Sequence, residues 1–335
     1  MLEHQLDLLL RRLRPDAVNI HNLHGADSDG WSAGIARVAT AHAPTVWTLH
    51  DMWSFTGRCA YSYDCRKFID GCDSSCPSPG EYPALAPERI EDAWRRRRAL
   101  LAGAATLVGV CPSRWLAAEA RAGLWGRRRV EVIPNGLPLE TYRPVDRKTA
   151  RAALGLDRPH PVLLVAAQKL QARQKGAKLL EEALGRATRR PVTLLTLGAG
   201  ALRLDIPGLE IVPLGYVEDE PKKTLFYAAA DALVHPAEAD NLPNVVMESI
   251  ACATPVIGLP VGGVPEMVRP GCTGWLARTP DADGLAAAID GAVEDLGRGV
   301  RLGESCRRIA EAEYGSDLQA SRYVNLISIG RSMTP

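Results

Sequence analysis

ALVHPAEADNLPNVVMESIACATPVIG, running from Ala232 to Gly258, reads as a strand, a helix and a second strand. Ala232–His235 and Val256–Gly258 are short apolar runs of the length buried strands take. Between them Pro243 fits the first turn of a helix, where its missing N–H costs nothing, with Asp240 or Asn241 as the cap. The helix is expected to end near Cys252, ahead of Pro255. Val246, Met247, Ile250 and Ala251 make most of its surface apolar, while Asn241, Asn244 and Glu248 fall at i, i+3 and i+7 on one polar stripe. That stripe must face water or a ligand. Its amino end directly follows a strand, where unpaired N–H groups attract phosphate and where open α/β sheets keep their ligands. An ordinary capped surface helix with a solvated Glu248 is the plainer alternative.

The same alternation extends over the chain and predicts an α/β protein with parallel sheets wound by helices. Strands are expected near Ala17–Ile20, Thr45–Leu49, Thr106–Val110 and Val130–Ile133, then at Val162–Ala166, Val192–Leu197, Leu209–Val212, Ala232–His235, Val256–Gly258 and Gly274–Ala277. Pro134, Gly136, Pro138 and Pro144 mark a linker over Pro134–Asp146. The expected division is a first domain over residues 1–138, a second over 139–320, and a tail at 321–335 that packs back on the first domain. Four strands before the linker against six after it leave the first domain short by two or three strand–helix units.

Composition narrows the classes. The 335 residues are 46% apolar, enough for two cores, and 40 Lys and Arg against 39 acids give no case for nucleic acid as a partner. Met1–Leu13 carries Glu3, His4 and Asp7 in an amphipathic pattern unlike a signal peptide, and no apolar run reaches membrane-span length. With eight cysteines and no export signal, a cytoplasmic location is expected, extending to the inner face of the plasma membrane if the basic helix below meets lipid.

Two further segments follow strands. Lys169, Arg173 and Lys175 in KLQARQKG are spaced to clamp two phosphates, or they form a solvated basic loop. Gly262 and Gly263 in VGGVPE let backbone approach a ligand or make a turn. Gly198–Gly200, GAG, lacks the third glycine of a dinucleotide loop and is set aside.

On PSRWL (Pro112–Leu116), VIPNG (Val132–Gly136), Lys175–Gly176, HPAEADNLPNVVMES, TPVIG, GGVPE and GCTGWL (Gly271–Leu276), the chain resembles glycosyltransferase family four, the retaining GT-B enzymes, in its exopolysaccharide or colanic-acid branch. The resemblance covers residues 15 to about 325. It implies two Rossmann-like domains facing a cleft, the first lacking the usual N-terminal strands and Gly-rich loop. It also implies transfer of a sugar from a nucleoside-diphosphate sugar, most often UDP- or GDP-linked, to a glycan or polyprenyl-linked acceptor in polysaccharide biosynthesis. By position, Glu248 matches the ribose-binding carboxylate and Asp240 the carboxylate at the sugar's reacting face, where Glu is commoner. Asn241, Leu242, Asn244, Gly262 and Gly263 match its donor-binding segments. Lys175 matches the diphosphate lysine, and Lys169 or Arg173 stands for its arginine partner. His50 in VWTLHDMW matches a histidine that contacts the donor sugar, although a lone histidine after a strand is more often structural. No cofactor is implied for the chemistry.

Cys59, Cys65, Cys72 and Cys76 lie in a turn-rich loop over residues 56–80. Four thiolates suit a structural zinc, while disulfides or free thiols remain open. The helix Glu88–Leu101, with Trp94 beside Arg95–Arg98, either rests on anionic lipid as a peripheral contact or presents a solvated face. Two rival functions share this reading. One is a GT-B-type sugar-nucleotide epimerase, which would form product without an acceptor. The other is a nucleotide-sugar-binding pseudo-enzyme or subunit of a transferase complex.

Overall fold

A computed structural model describes residues 2–24, 32–104, 106–156, 158–202 and 204–331, with only the backbone of Arg173, Ile329, Gly330 and Arg331. The chain divides into two compact units, Met1–Pro134 with Ala320–Pro335, and Asn135–Gln319.

The first unit opens on α1 (Leu2–Leu13) and β1 (Val18–Ile20), then α2 (Gly34–Thr40), β2 (Thr45–Thr48), α3 (Pro87–Gly103), β3 (Leu107–Cys111), α4 (Arg114–Ala122) and β4 (Val130–Val132). Its four strands are parallel in the order β1-β2-β3-β4. All four were legible in the sequence to within a residue or two at each end. One face packs on a cluster built from Trp47, Leu49, Phe55, Leu107 and Trp125. On the other, Val46, Val110 and Ile133 meet Leu326 of the last helix, whose Tyr323 hydroxyl lies 2.7 Å from Thr48 Oγ1.

The second unit runs α5 (Arg147–Ala153), β5 (Val162–Lys169), α6 (Ala177–Arg186), β6 (Val192–Ala199), β7 (Leu209–Gly215), α7 (Glu220–Ala229), β8 (Ala232–His235), α8 (Asn244–Ala251), β9 (Val256–Gly258), α9 (Val264–Met267), β10 (Gly274–Leu276), α10 (Ala282–Gly297) and α11 (Gly303–Glu313), and α12 (Ser316–Arg331) leads back to the first unit. All six strands are parallel, in the order β10-β9-β8-β5-β6-β7. The central strand β5 is apolar throughout its buried part, as a strand covered on both faces must be. Val162, Leu164 and Ala166 face one core while Leu163 and Val165 face the other. Winding outward from β5 proceeds to β6 and β7 on one side and to β8, β9 and β10 on the other. The order therefore reverses between β5 and β8, and open sheets hold ligands outside strand carboxyl ends at such a reversal.

Candidate functional site

The loop after β5 and the segment after β8 meet at that reversal. Lys175 ends a short 3₁₀ turn over Arg173–Lys175, and its ammonium lies 2.8 Å from Asp240 Oδ2. Gly176 makes the approach feasible. It adopts a left-handed φ of 70°, and a Cβ there would sit 1.9 Å from the Pro236 carbonyl oxygen. Gly262 plays the same part from the far side, with φ 55° and a Cβ position 1.9 Å from Asp240 O, while the Gly263 N–H donates to that oxygen at 3.1 Å. The paired glycines thus serve a backbone-to-backbone contact that fixes Asp240.

Asp240, Asn241 and Leu242 are all buried, at 7%, 3% and 6% exposure. The Asp240 Oδ1 accepts the Asn241 N–H at 3.0 Å. The structure corrects the capping expectation here. α8 begins at Asn244 with Pro243 in the cap position, a residue that makes no side-chain cap, and the Asp240 carboxylate is held by Lys175 and by its neighbour's amide. Asn241 therefore precedes the helix and is buried instead of sharing its polar stripe. Asn244 is exposed at the first helical position and Lys169 is exposed at the end of β5. The side chain of Arg173 lies outside the described residues.

Glu248 sits one turn further along α8 and lines a cavity of about 230 Å³ with Ala166, Gln168, Gly198, Tyr216 and Lys223. Its Oε2 accepts the Tyr227 hydroxyl at 2.7 Å, and Tyr227 is fully buried. Burial raises the Glu248 pKa above the ordinary carboxylate value, opposed by the Tyr227 hydrogen bond and by Lys223. The Tyr227 phenol is pushed well up by burial and by the Glu248 charge. Sequence reasoning missed Tyr227, Lys223 and Gly198. The dismissed GAG was the signal for Gly198, which lines the Glu248 cavity from the end of β6.

His235, the last residue of β8, was read from the sequence only as a strand end, yet it is 3% exposed with its Nε2 3.6 Å from Asp240 Oδ2. Burial lowers its pKa to about 4, so the imidazole is neutral at ordinary pH.

In the first unit His50 follows β2, and its Nε2 lies 2.9 Å from His21 Nδ1 with the rings stacked 5.2 Å apart. Burial lowers the pKa of both, and each cation would also disfavour the other. Beside them His24 Nε2 is 2.9 Å from Asp51 Oδ2, and the Tyr82 hydroxyl is 3.2 Å from His24 Nδ1. His50 is thus one of three histidines at the carboxyl ends of β1 and β2. Their place in AVNIHNLHG, directly after a strand, was the available signal.

The loop cysteines Cys59, Cys65, Cys72 and Cys76 are free thiols. Among the described residues no three His, Cys, Asp or Glu side chains are grouped to hold a metal. The Gly57 N–H donates to Cys72 Sγ at 3.2 Å, and burial pushes the Cys72 thiol up to about 11 and Cys59 to about 12. Arg97 on α3 holds the loop's start: its Nη1 donates to the Thr56 and Gly57 carbonyls at 2.6 and 2.7 Å, and its guanidinium stacks 3.9 Å from the Trp53 ring centre. Arg95 and Arg96 pair with Glu91 and Asp92 along the same helix. One arginine is an inward anchor and two are matched within the helix, which favours the solvated-face reading over a lipid-binding face. No helix among the described residues is long and apolar enough to cross a membrane.

Known proteins carry the same two halves. Residues 3–141 match the model of Glycosyltransferase Family 4, and residues 160–295 match that of Glycosyl transferases group 1. The chain carries a Glycosyltransferase Family 4 domain followed by a Glycosyl transferases group 1 domain. It is 34% identical over 200 residues to a D-inositol 3-phosphate glycosyltransferase of Nocardia farcinica, covering 56% of this chain and 44% of that one. It is 29% identical over 216 residues to the putative colanic acid biosynthesis glycosyl transferase WcaC of Escherichia coli K12, covering 63% and 51%. The chain spans about half the length of these curated relatives. Sucrose-phosphate synthase of Thermosynechococcus elongatus superposes with a TM-score of 0.75 at 19% identity, over 99% of this chain and 78% of its own. Anabaena Alr3699/HepE in complex with UDP gives 0.67 at 17%, over 98% and 82%. At these identities the likeness is one of fold, and it is the GT-B glycosyltransferase fold of two parallel-sheet α/β domains, here with four and six strands.

Proposed function

We propose that the chain transfers a sugar, with retention of anomeric configuration, from a nucleoside-diphosphate sugar to a glycan or polyprenyl-linked acceptor in polysaccharide synthesis, at the cytoplasmic face of the cell. The observation that carries this reading is the pairing of Lys175 with Asp240 at the sheet's reversal, beside the uncapped start of α8, with Glu248 in the adjoining cavity. The diphosphate would lie on the N–H groups at the start of α8 and on Lys175, with Lys169 and Arg173 completing the cationic side. These charges stabilise the departing diphosphate and do so without a metal ion. Glu248 would accept the ribose hydroxyls, which leaves the 230 Å³ cavity for the base beside Tyr216. Asp240 would face the sugar. Same-face attack then leaves the acceptor's proton with the leaving phosphate, so no protein carboxylate need form a sugar ester.

UDP leads the donor series because Alr3699/HepE, of the same fold, is found with UDP. The test is calorimetric binding of UDP-, GDP-, ADP- and dTDP-sugars, followed by a transfer assay with and without acceptor. One nucleotide class should bind, and product should require acceptor. Binding of none would overturn the reading. Product without acceptor would favour the epimerase, and binding without transfer the binding-subunit alternative.

A further inference from the structure

His235 takes no part in the chemistry just described, yet it is buried directly beside Asp240. Its Nε2 has no hydrogen-bond partner. Native interiors rarely leave such an atom unpaired, so an orphan beside a binding site points to a partner gained in another state of that site. Only one charged oxygen among the described residues is near. Asp240 Oδ2 stands 3.6 Å away, too far for a hydrogen bond, and is held at 2.8 Å by Lys175. The Lys175 side chain is part-exposed, at 32%, so its ammonium can move towards a ligand from the solvent side.

Lys175 has two claims on it. In the free site its ammonium neutralises Asp240, and in the reading above it also neutralises the diphosphate. A diphosphate carries more charge than one carboxylate and should draw the ammonium towards itself. Asp240 would then be a nearly buried anion retaining only the Asn241 N–H, a costly state. We propose that His235 is a positioning residue of the donor site, its Nε2–H taking over the Asp240 carboxylate when the diphosphate draws Lys175 away. The movement required is small: closing 3.6 Å to an N–H···O length of about 2.9 Å is a shift of roughly 0.7 Å. The imidazole is suited to this part because it is neutral. Burial is the main cause and Lys175 adds to it, against the opposing pull of Asp240, so His235 supplies a donor without adding a cation the site would have to carry once Lys175 has moved. His235 closes β8 and Asp240 lies on the segment fixed by Gly262 and Gly263, so both partners are on rigid supports.

This rests on the donor-site reading, and the experiment separates the two. Protein labelled with ¹⁵N-histidine is titrated with UDP and with GDP, each against its nucleoside, and the His235 resonance is assigned by its loss in His235→Gln. A diphosphate should move the His235 Nε2 signal and the nucleoside should leave it in place. If a diphosphate binds and the signal stays still, the inference falls and the donor site stands; if neither diphosphate binds, both fall. In the transfer assay His235→Leu should raise the donor KM by at least about tenfold while kcat changes less than about threefold. His235→Gln, whose amide N–H can still reach Asp240, should reverse most of that rise. A merely structural histidine would instead lower the melting temperature of both variants and spare the donor KM, which would overturn the proposal.

Discussion

Replacing Glu248 separates binding from folding, because the carboxylate does two things at once. In the proposed donor site it accepts ligand hydroxyls in the 230 Å³ cavity it lines, and it accepts the buried Tyr227 hydroxyl at 2.7 Å. Glu248→Ala removes both. A hydrogen bond to a charged group is worth about 1.5–3 kcal/mol, so affinity for the nucleotide should fall roughly ten- to hundredfold. Orphaning the Tyr227 hydroxyl costs about 1–3 kcal/mol, and at about 2–4 °C per kcal/mol for a unit of this size the melting point should drop by roughly 2–12 °C. Water entering the cavity can satisfy the hydroxyl, so the lower end is expected. Glu248→Gln behaves differently. Its carbonyl still accepts from Tyr227, and the charge is gone. The raised pKa of Glu248 means that the fold binds its proton more tightly than the unfolded chain does. Stability therefore falls as pH rises from the usual carboxylate range through the raised value, and at neutral pH the ionised group is a cost. Glu248→Gln should thus be as stable as the parent or more so at pH 7, lose that advantage in acid, and still bind nucleotide about tenfold more weakly. Calorimetry with UDP and GDP gives the affinities, and melting curves at pH 4 and pH 7 give the stabilities. Unchanged affinity in Glu248→Ala would refute the ribose role. A Glu248→Gln protein less stable at pH 7 than the parent would refute the argument from burial.

Lys175→Ala should weaken binding of a nucleoside diphosphate far more than that of the nucleoside, since only the former presents the charge it holds; equal weakening by calorimetry would make Lys175 a loop support. Arg97→Ala takes the donor from the Thr56 and Gly57 carbonyls and the cation from Trp53, and should cost roughly 2–4 kcal/mol with faster proteolysis between residues 56 and 86, read by urea midpoint and by mapping the cuts. Zinc analysis of protein purified without chelator tests the four-thiol proposal: about one zinc per chain is expected if Cys59, Cys65, Cys72 and Cys76 close around the ion, and a folded, metal-free protein would end it.

Much of the second unit was legible because its elements are local. The run VLLVA is short, rich in β-branched residues and apolar at every position, which suits a strand covered on both faces, and α8 repeats its apolar positions at helical spacing. The partner of the Asp240 side chain was invisible because it lies 65 residues away in sequence. The roles of Tyr227 and His235 were invisible for the same reason. Each looks like an ordinary interior residue until the group it faces is known.

What the sequence determined by itself was the alternation of ten strands with helices, the linker between them, and a set of charged residues that follow strands. Periodicity and turn chemistry act over a few residues, so that information survives in a linear reading. The order of the strands does not. Only the tertiary structure put β5 beside β8, pairing Leu163 with Ala232 and Val165 with Val234. That pairing carries Lys175 to Asp240 and sets an unpartnered imidazole beside the carboxylate. Which strands become neighbours depends on how two apolar faces are covered by helices from distant parts of the chain, and no local pattern records that.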